Sequence, residues 1–171
     1  MIETAAVVNV MFAGLGGMGV LKASDILADC VFREGHDVKK SEIHGMSQRG
    51  GSVTSDVRFG REVFSPMIPT GEADFLVALD ESQVDHNRYM LREGGILITP
   101  HPLVVIHGPM PELDERDLPL SPRNFNVAIL GMLSCHLDFP EESWEMAIRA
   151  HVPGRTFEQN IEVFRLGRRF G

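Results

Sequence analysis

Apolar residues change their period several times along this chain, and each change predicts an element. Val7 to Ala13 is a short apolar run of strand length, followed by Gly14, Gly16, Gly17 and Gly19. The period then lengthens. Val20, Ala23, Leu27 and Cys30 or Val31 recur at helical spacing, with Lys22, Asp25, Asp29 and Arg33 on the polar side, which predicts a helix from about Met18 to Glu34. Gly35 stands where a helix-ending glycine is expected. A short strand over roughly His36 to Lys40 follows. Ser52 to Phe59 alternates as a half-buried strand does, and Gly60-Arg61 predicts a turn into a second short strand, Glu62 to Phe64, ended by Ser65-Pro66.

Ala73 to Leu79 is continuously apolar, the pattern of a central parallel strand buried on both faces. A helix over about Ser82 to Arg92 leads through Gly94-Gly95 to another buried strand, Ile96 to Thr99, and Val104 to Ile106 is a candidate for one more. Gly108 to Arg123 is rich in proline and acids. The last third reads as helical. Asn126 to Leu137 is apolar almost all round, so it is either a core helix or a face that meets another subunit. A second helix opens at Pro140-Glu141-Glu142, residues suited to a first turn, and carries the stripe Trp144, Ala147, Ile148. A third runs from about Thr156 to Arg165 and ends at Gly167. This order predicts an α/β fold in one domain, residues 1–171. It is a three-layer α/β/α arrangement with a mixed, mostly parallel sheet, a Rossmann-like N-terminal βαβ unit and a helical C-terminal third.

Composition narrows the function classes. Lys and Arg number 16 against 24 Asp and Glu, a net charge of −8, which argues against a nucleic-acid or anionic-membrane surface. Met1-Ile-Glu-Thr lacks the basic opening of a secretory leader, and no apolar run reaches membrane-spanning length, so a cytoplasmic protein is expected. Cys30 and Cys135 sit in apolar helical patterns and read as buried free thiols; two cysteines cannot hold a four-cysteine iron–sulfur cluster. The seven histidines show no metal-ligand spacing.

The candidate chemistry begins at the glycines. Strand, G-L-G-G-M-G, helix satisfies the spacing G-x-G-x-x-G, in which a missing Cβ lets a phosphate approach the backbone at a helix N-terminus. A plain tight turn is the alternative. A NAD site wants an acid at the end of the second strand, where this chain has Lys39-Lys40, with Glu42 beyond. Those lysines suit a phosphorylated nucleotide such as CoA or NADP, or are two solvated side chains. Ser41 to Gly51, S-E-I-H-G-M-S-Q-R-G-G, is polar and aperiodic, an exposed loop of the kind that carries function. Its G-M-S-Q-R misses the nucleophile elbow G-x-S-x-G by one residue, and no acid is placed to partner His44.

Several of these segments together resemble the gamma subunit or domain of 2-oxoacid:ferredoxin oxidoreductases. The glycine loop is similar to that family's G-x-G-G-Q-G, with Met18 where the family has glutamine. The S-E-I-H-G-M-S-Q-R-G-G loop, the following V-R-F-G strand and F-S-P-M-I-P are similar to its most distinctive stretch. A-D-F-L-V-A-L-D-E, Asn126-x-x-x-Leu130-Gly131 and Asn160-x-x-x-Phe164-x-x-Gly167 match the rest. The S-E-I-H-G-M version resembles the beta subunit of the indolepyruvate enzymes. The resemblance implies a non-catalytic subunit of a larger enzyme. That enzyme decarboxylates a 2-oxoacid on thiamine diphosphate, passes electrons through iron–sulfur clusters to ferredoxin, and hands the acyl group to CoA. Thiamine diphosphate and clusters would belong to partner subunits. Without its partner, a chain with a helix as apolar as Asn126 to Leu137 is expected to self-associate or to expose a large apolar face.

Three functions follow for test: such a subunit, a free-standing NAD(P)-dependent dehydrogenase, or a CoA- or nucleotide-binding protein acting alone. The expected cofactor contacts are Gly14, Gly16, Gly17, Met18 and Gly19 of the first loop and Ser47, Gln48 and Arg49 of the second. Backbone N–H groups from Gly16 to Gly19 would face an anion, and Arg49 would either help to enclose it or pair with Glu42.

Overall fold

A computed structural model describes residues 7–45, 50–103 and 120–171. The elements are β1 (Val8–Leu15), α1 (Val20–Arg33), β2 (Asp37–His44), β3 (Ser52–Gly60), β4 (Ala73–Ala78), α2 (Ser82–Asn87), β5 (Leu91–Ile98), α3 (Phe125–Ser134), α4 (Glu141–His151) and α5 (Phe157–Arg168). The candidate strand Val104 to Ile106 lies outside the described residues, as do Ser47, Gln48 and Arg49.

The five strands form one mixed sheet in the order β2-β3-β1-β4-β5. β1 pairs in parallel with β4, and β4 with β5, while β3 runs antiparallel to both β1 and β2. The expected N-terminal βαβ unit is therefore corrected in one respect. β2 does not lie beside β1; it is the sheet's outer edge, and β4 is the parallel neighbour that a Rossmann-like unit would have supplied. The reason is visible in its residues. Asp37, Lys39, Lys40, Ser41 and Glu42 cannot be buried between two strands and suit an edge.

The second expected strand of the hairpin, Glu62 to Phe64, is also absent. That stretch is coil, because side chains of the sheet take its backbone groups. Val63 N–H donates to Asp37 Oδ2 at 2.8 Å, Ile68 N–H to Asp56 Oδ2 at 3.0 Å, and Arg58 Nη1 donates to the carbonyls of Ser65 (2.9 Å) and Met67 (3.0 Å). The helix expected over Ser82 to Arg92 is shorter, with a 3-10 turn at Arg88–Met90, and β5 begins at Leu91.

One face of the sheet, with Val8, Val10, Phe12, Val57, Phe59, Phe75, Val77 and Ile98, packs under α1, α3, α4 and α5 in the main core. Burial of this face supplies most of the driving force for folding. The opposite face has a smaller cluster in which Ile68 of the coil and Met90 of the 3-10 turn cover Met11, Ala13 and Leu76. All ten residues of α3 are buried. The apolar pattern of that segment is thus that of a core helix, and the intersubunit face it could have offered is occupied by this chain's own elements.

α3 and α5 meet through glycines. A Cβ on Gly131 would stand 2.1 Å from the Phe164 carbonyl oxygen. Gly167 does not end α5, as its position suggested; the helix continues to Arg168 and the glycine lies inside the contact. Cys30 is fully buried, and burial first, then the charges of Glu34 and Asp29, push its thiol up to about 12. Cys135 is exposed, contrary to expectation, because α3 stops one residue before it. Among the described residues no helix is long and apolar enough to cross a membrane.

Candidate functional site: a glycine turn beside a cationic cleft

Between Leu15 and Val20 the chain turns from β1 into α1, and its glycines have different jobs. Gly14 is still in the strand, opposite Val53, where a Cβ would come within 2.7 Å of Val20 Cγ2. It permits strand and helix to pack. Gly16 donates its N–H to Gly51 O at 2.9 Å, and Met18 donates to Leu15 O at 3.1 Å. Two of the four N–H groups expected to face an anion are therefore engaged in the turn itself. Gly17 and Gly19 have φ of 93° and 79°, a region that favours glycine. Gly17 faces open space. Gly19 caps α1 and lies against Asn126, whose Nδ2 donates to the Gly19 carbonyl at 3.1 Å; a Cβ there would be 2.6 Å from that nitrogen.

Antiparallel pairing of β1 with β3 sets Leu15 opposite Ser52, and Gly45 N–H donates to Ser52 O at 2.8 Å. Ser41 to His44, expected as the start of the second loop, are the end of β2, and Gly45 and Gly50-Gly51 of the same segment flank the glycine turn. Lys39 and Lys40 do not serve it. Lys39 pairs with Asp37 at 2.5 Å, and Lys40 with Asp25 at 2.5 Å and with Glu42. Burial pulls the Lys40 ammonium down, but the hydrogen bonds it donates to Asp25 and Glu42 outweigh this and raise its pKa; Lys40 in turn holds Glu42 below the usual carboxylate range. The basic strand end is an internal ion-pair network.

A cleft of about 570 Å³ opens on the other side of the turn. Gly17, Met18, Gly19 and Lys22 line it from the start of α1, Ser121, Arg123, Asn124 and Asn126 from the start of α3, and Arg155, Thr156, Gln159 and Asn160 from the start of α5. Three helix N-termini converge there, and none carries a side-chain cap bond to its backbone. Each leaves N–H groups and a partial positive charge at its opening. Lys22, Arg123 and Arg155 add three full charges and pair with no carboxylate among the described residues. No Asp or Glu lines the cleft among the described residues, although acids outnumber bases by 24 to 16 in the chain. The floor is polar and buried, with Ser121, Asn124, Asn126 and Asn160 all under a tenth exposed.

Sequence reasoning missed these cations. Lys22 read as part of a solvated helix face, Arg123 sits at the end of the acidic proline-rich stretch, and Arg155 stood in no motif. A signal was present in the two C-terminal patterns, whose asparagines, Asn126 and Asn160, both line this cleft. Their glycines, Gly131 and Gly167, lock α3 to α5. Met18 lines the cleft and is half-buried against the core, and its sulfur would stand 4.0 Å from a Cβ on Gly14.

The model of one family, pyruvate ferredoxin/flavodoxin oxidoreductase, matches residues 9–170. The chain belongs to the pyruvate ferredoxin/flavodoxin oxidoreductase family. Indolepyruvate oxidoreductase subunit IorB of Thermococcus kodakarensis is 34% identical over 93% of each chain. 2-Oxoglutarate synthase subunit KorC of Archaeoglobus fulgidus is 28% identical over 96% of this chain and 88% of its own. The gamma subunit of a keto/oxoacid ferredoxin oxidoreductase from Geobacter sulfurreducens has the same fold, with a TM-score of 0.74 at 24% identity over 94% and 95% of the two chains. In this family the chain takes its place as a small, gamma-type subunit of an oxoacid:ferredoxin oxidoreductase. The free-standing dehydrogenase and the lone nucleotide-binding protein are not favoured.

Proposed function

We propose that this chain is the gamma-type subunit of a cytoplasmic 2-oxoacid:ferredoxin oxidoreductase that converts indolepyruvate or a related aryl or keto acid to its acyl-CoA, and that it contributes part of the CoA site. Full-length likeness to an indolepyruvate oxidoreductase subunit supports the substrate class. The glycine turn opening onto an acid-free cationic cleft is the observation that carries the CoA assignment. The residues present fit that co-substrate. Gly17 leaves the backbone open, the N–H groups of Gly17 and Gly19 make no bond within the turn, and the helix openings favour phosphate. Bound CoA supplies the thiol that accepts the acyl group; this chain's residues bind and orient it. Decarboxylation on thiamine diphosphate and electron transfer through iron–sulfur clusters fall to partner subunits.

The test is reconstitution. Co-expressed with the thiamine diphosphate and iron–sulfur partner, the chain should give a complex that reduces ferredoxin with indolepyruvate only when CoA is present; the purified chain alone should be colourless and inactive. Gly17→Asn tolerates the positive φ and puts a side chain into the cleft, so it should raise the KM for CoA at least tenfold. Gly16 is the poorer test, since its Cβ would face Gly50 and not the cleft. Turnover by the isolated chain, or a complex indifferent to CoA, would overturn the assignment.

A further inference from the structure

We infer that an arch of coil at residues 64–67, with Ile43 of β2 beside it, is the surface by which this chain docks on a catalytic subunit, Phe64 and Met67 entering an apolar recess of that subunit. The inference rests on the chain's place as a gamma-type subunit and is independent of the CoA site.

Another subunit has to meet this chain somewhere, and α3, the helix whose pattern suggested it, is covered by the chain's own elements. The four long helices pack on one face of the sheet. On the other face the coil after β3 forms an arch whose two feet, Val63 and Ile68, are buried and whose N–H groups there donate to Asp37 and Asp56. Arg58, fixed by a bond from its Nε to Asn9 Oδ1 (2.8 Å), holds the carbonyls of Ser65 and Met67 from beneath, and Ser41 Oγ donates to Pro66 O at 3.4 Å. The backbone of the arch is thus already ordered, which lowers the entropic cost of binding through it. Its side chains point away from the sheet. Phe64 is 86% exposed, the highest value for a large hydrophobic residue among those described, and Met67 is 58% exposed. Ile43, 57% exposed, lies two residues along from Ser41 on the same face of β2 and extends the patch beside Pro66.

Composition and shape decide what covers it. Residues 63–70 carry no charge although six of the eight are exposed, in a chain of which 23% is charged. Depletion of charge around an aromatic and a methionine is the make-up of the centre of a protein–protein interface. A second copy would bring its own arch to the contact, convex against convex, and a further net charge of −8. An isologous contact needs a self-complementary surface, and a protruding arch is not one. A non-identical chain with an apolar recess fits, and complexes of this family supply it in the catalytic subunit.

The experiment titrates the full chain against the catalytic subunit by calorimetry and compares the parent with Phe64→Ser, Met67→Gln and the double variant. Phe32→Ser, at an exposed aromatic of α1, is the control, and thermal melting checks folding. Phe64→Ser should raise the Kd about thirtyfold and the double variant about a hundredfold or more, as loss of a central anchor does. Phe32→Ser should bind like the parent, and all variants should melt close to it. A double variant that binds the catalytic subunit like the parent overturns the inference, and an equal loss with Phe32→Ser does the same; the CoA assignment then still stands or falls on Gly17→Asn. If the double variant leaves the complex intact but turns a dimer of the isolated chain into a monomer, the occupant is a second copy and the inference falls. A parent chain that binds no catalytic subunit overturns the subunit reading and this inference together.

Discussion

Gly167 lies so close to Ala128 that a Cβ on it would stand 1.9 Å from the Ala128 carbonyl oxygen. The obstruction is backbone, so it cannot swing aside as a side chain would. Gly167→Ala must push α5 away from α3 and is expected to cost about 2–3 kcal/mol, the upper range for overpacking. In a domain of this size that lowers Tm by roughly 5–10 °C. Gly171→Ala in the same region, also close to backbone, would confound the result, so Gly154→Ala, which meets nothing within 4 Å, is the control.

Lys40 separates structure from binding. Lys40→Met removes its bonds to Asp25 and Glu42, both of which keep contact with water. The expected cost is about 1 kcal/mol, seen in denaturant unfolding, with CoA affinity of the complex unchanged within about twofold. A tenfold loss of affinity would return strand β2 to the binding site.

Asp37 gives a pH signature. The hydrogen bond from Lys39, and then that from Val63 N–H, hold its carboxyl below the ordinary value of 3.8. A depressed folded pKa stabilises the native state above the unfolded value, and that contribution disappears as the pH falls through the folded one. The Tm difference between the parent and Asp37→Asn should therefore be full at pH 6–7 and shrink below about pH 4, as read by melting curves of both proteins across that range.

The two thiols should behave differently. At pH 8, a thiol reagent should label Cys135 of the folded chain within minutes and leave Cys30 untouched until denaturant is added. The Cys30 thiol, held near 12 by burial, has almost no thiolate to react. Peptide mass spectrometry locates the label.

Much of the fold was legible because periodicity reports burial. β1, α1, β3, β4 and the three C-terminal helices all lie close to where the apolar spacing put them, since their buried faces leave a period in the sequence. Strand neighbours leave no such trace. Nothing in Asp37–His44 says which strand it will pair with, and a polar edge strand after a helix looks much like the second strand of a βαβ unit. The coil at 61–68 misled for a related reason: its partners are carboxylates and a guanidinium contributed by the sheet, so its local residues do not announce them. At the site, the glycines announced a turn, but their separate tasks depend on contacts with Val20, Gly51 and Asn126 that only tertiary structure brings. The cations were hidden most deeply. Lys22, Arg123 and Arg155 span more than a hundred positions and share only a place in space.

The strand order has a further consequence for how the chain is made. β1 leaves the ribosome before the other four strands of its sheet, yet it occupies the middle of that sheet and pairs with β3 and β4. It has no partner until Ser52–Gly60 has emerged, and its apolar face lacks α5 until roughly 140 residues have been added, some 7–28 s at ordinary rates of synthesis. During that interval Val8, Val10 and Phe12 have at most α1 over them and lack the rest of their helical cover, which leaves the nascent chain open to holding chaperones and to misassembly. A chain truncated before α3 would carry the same partly covered strand permanently.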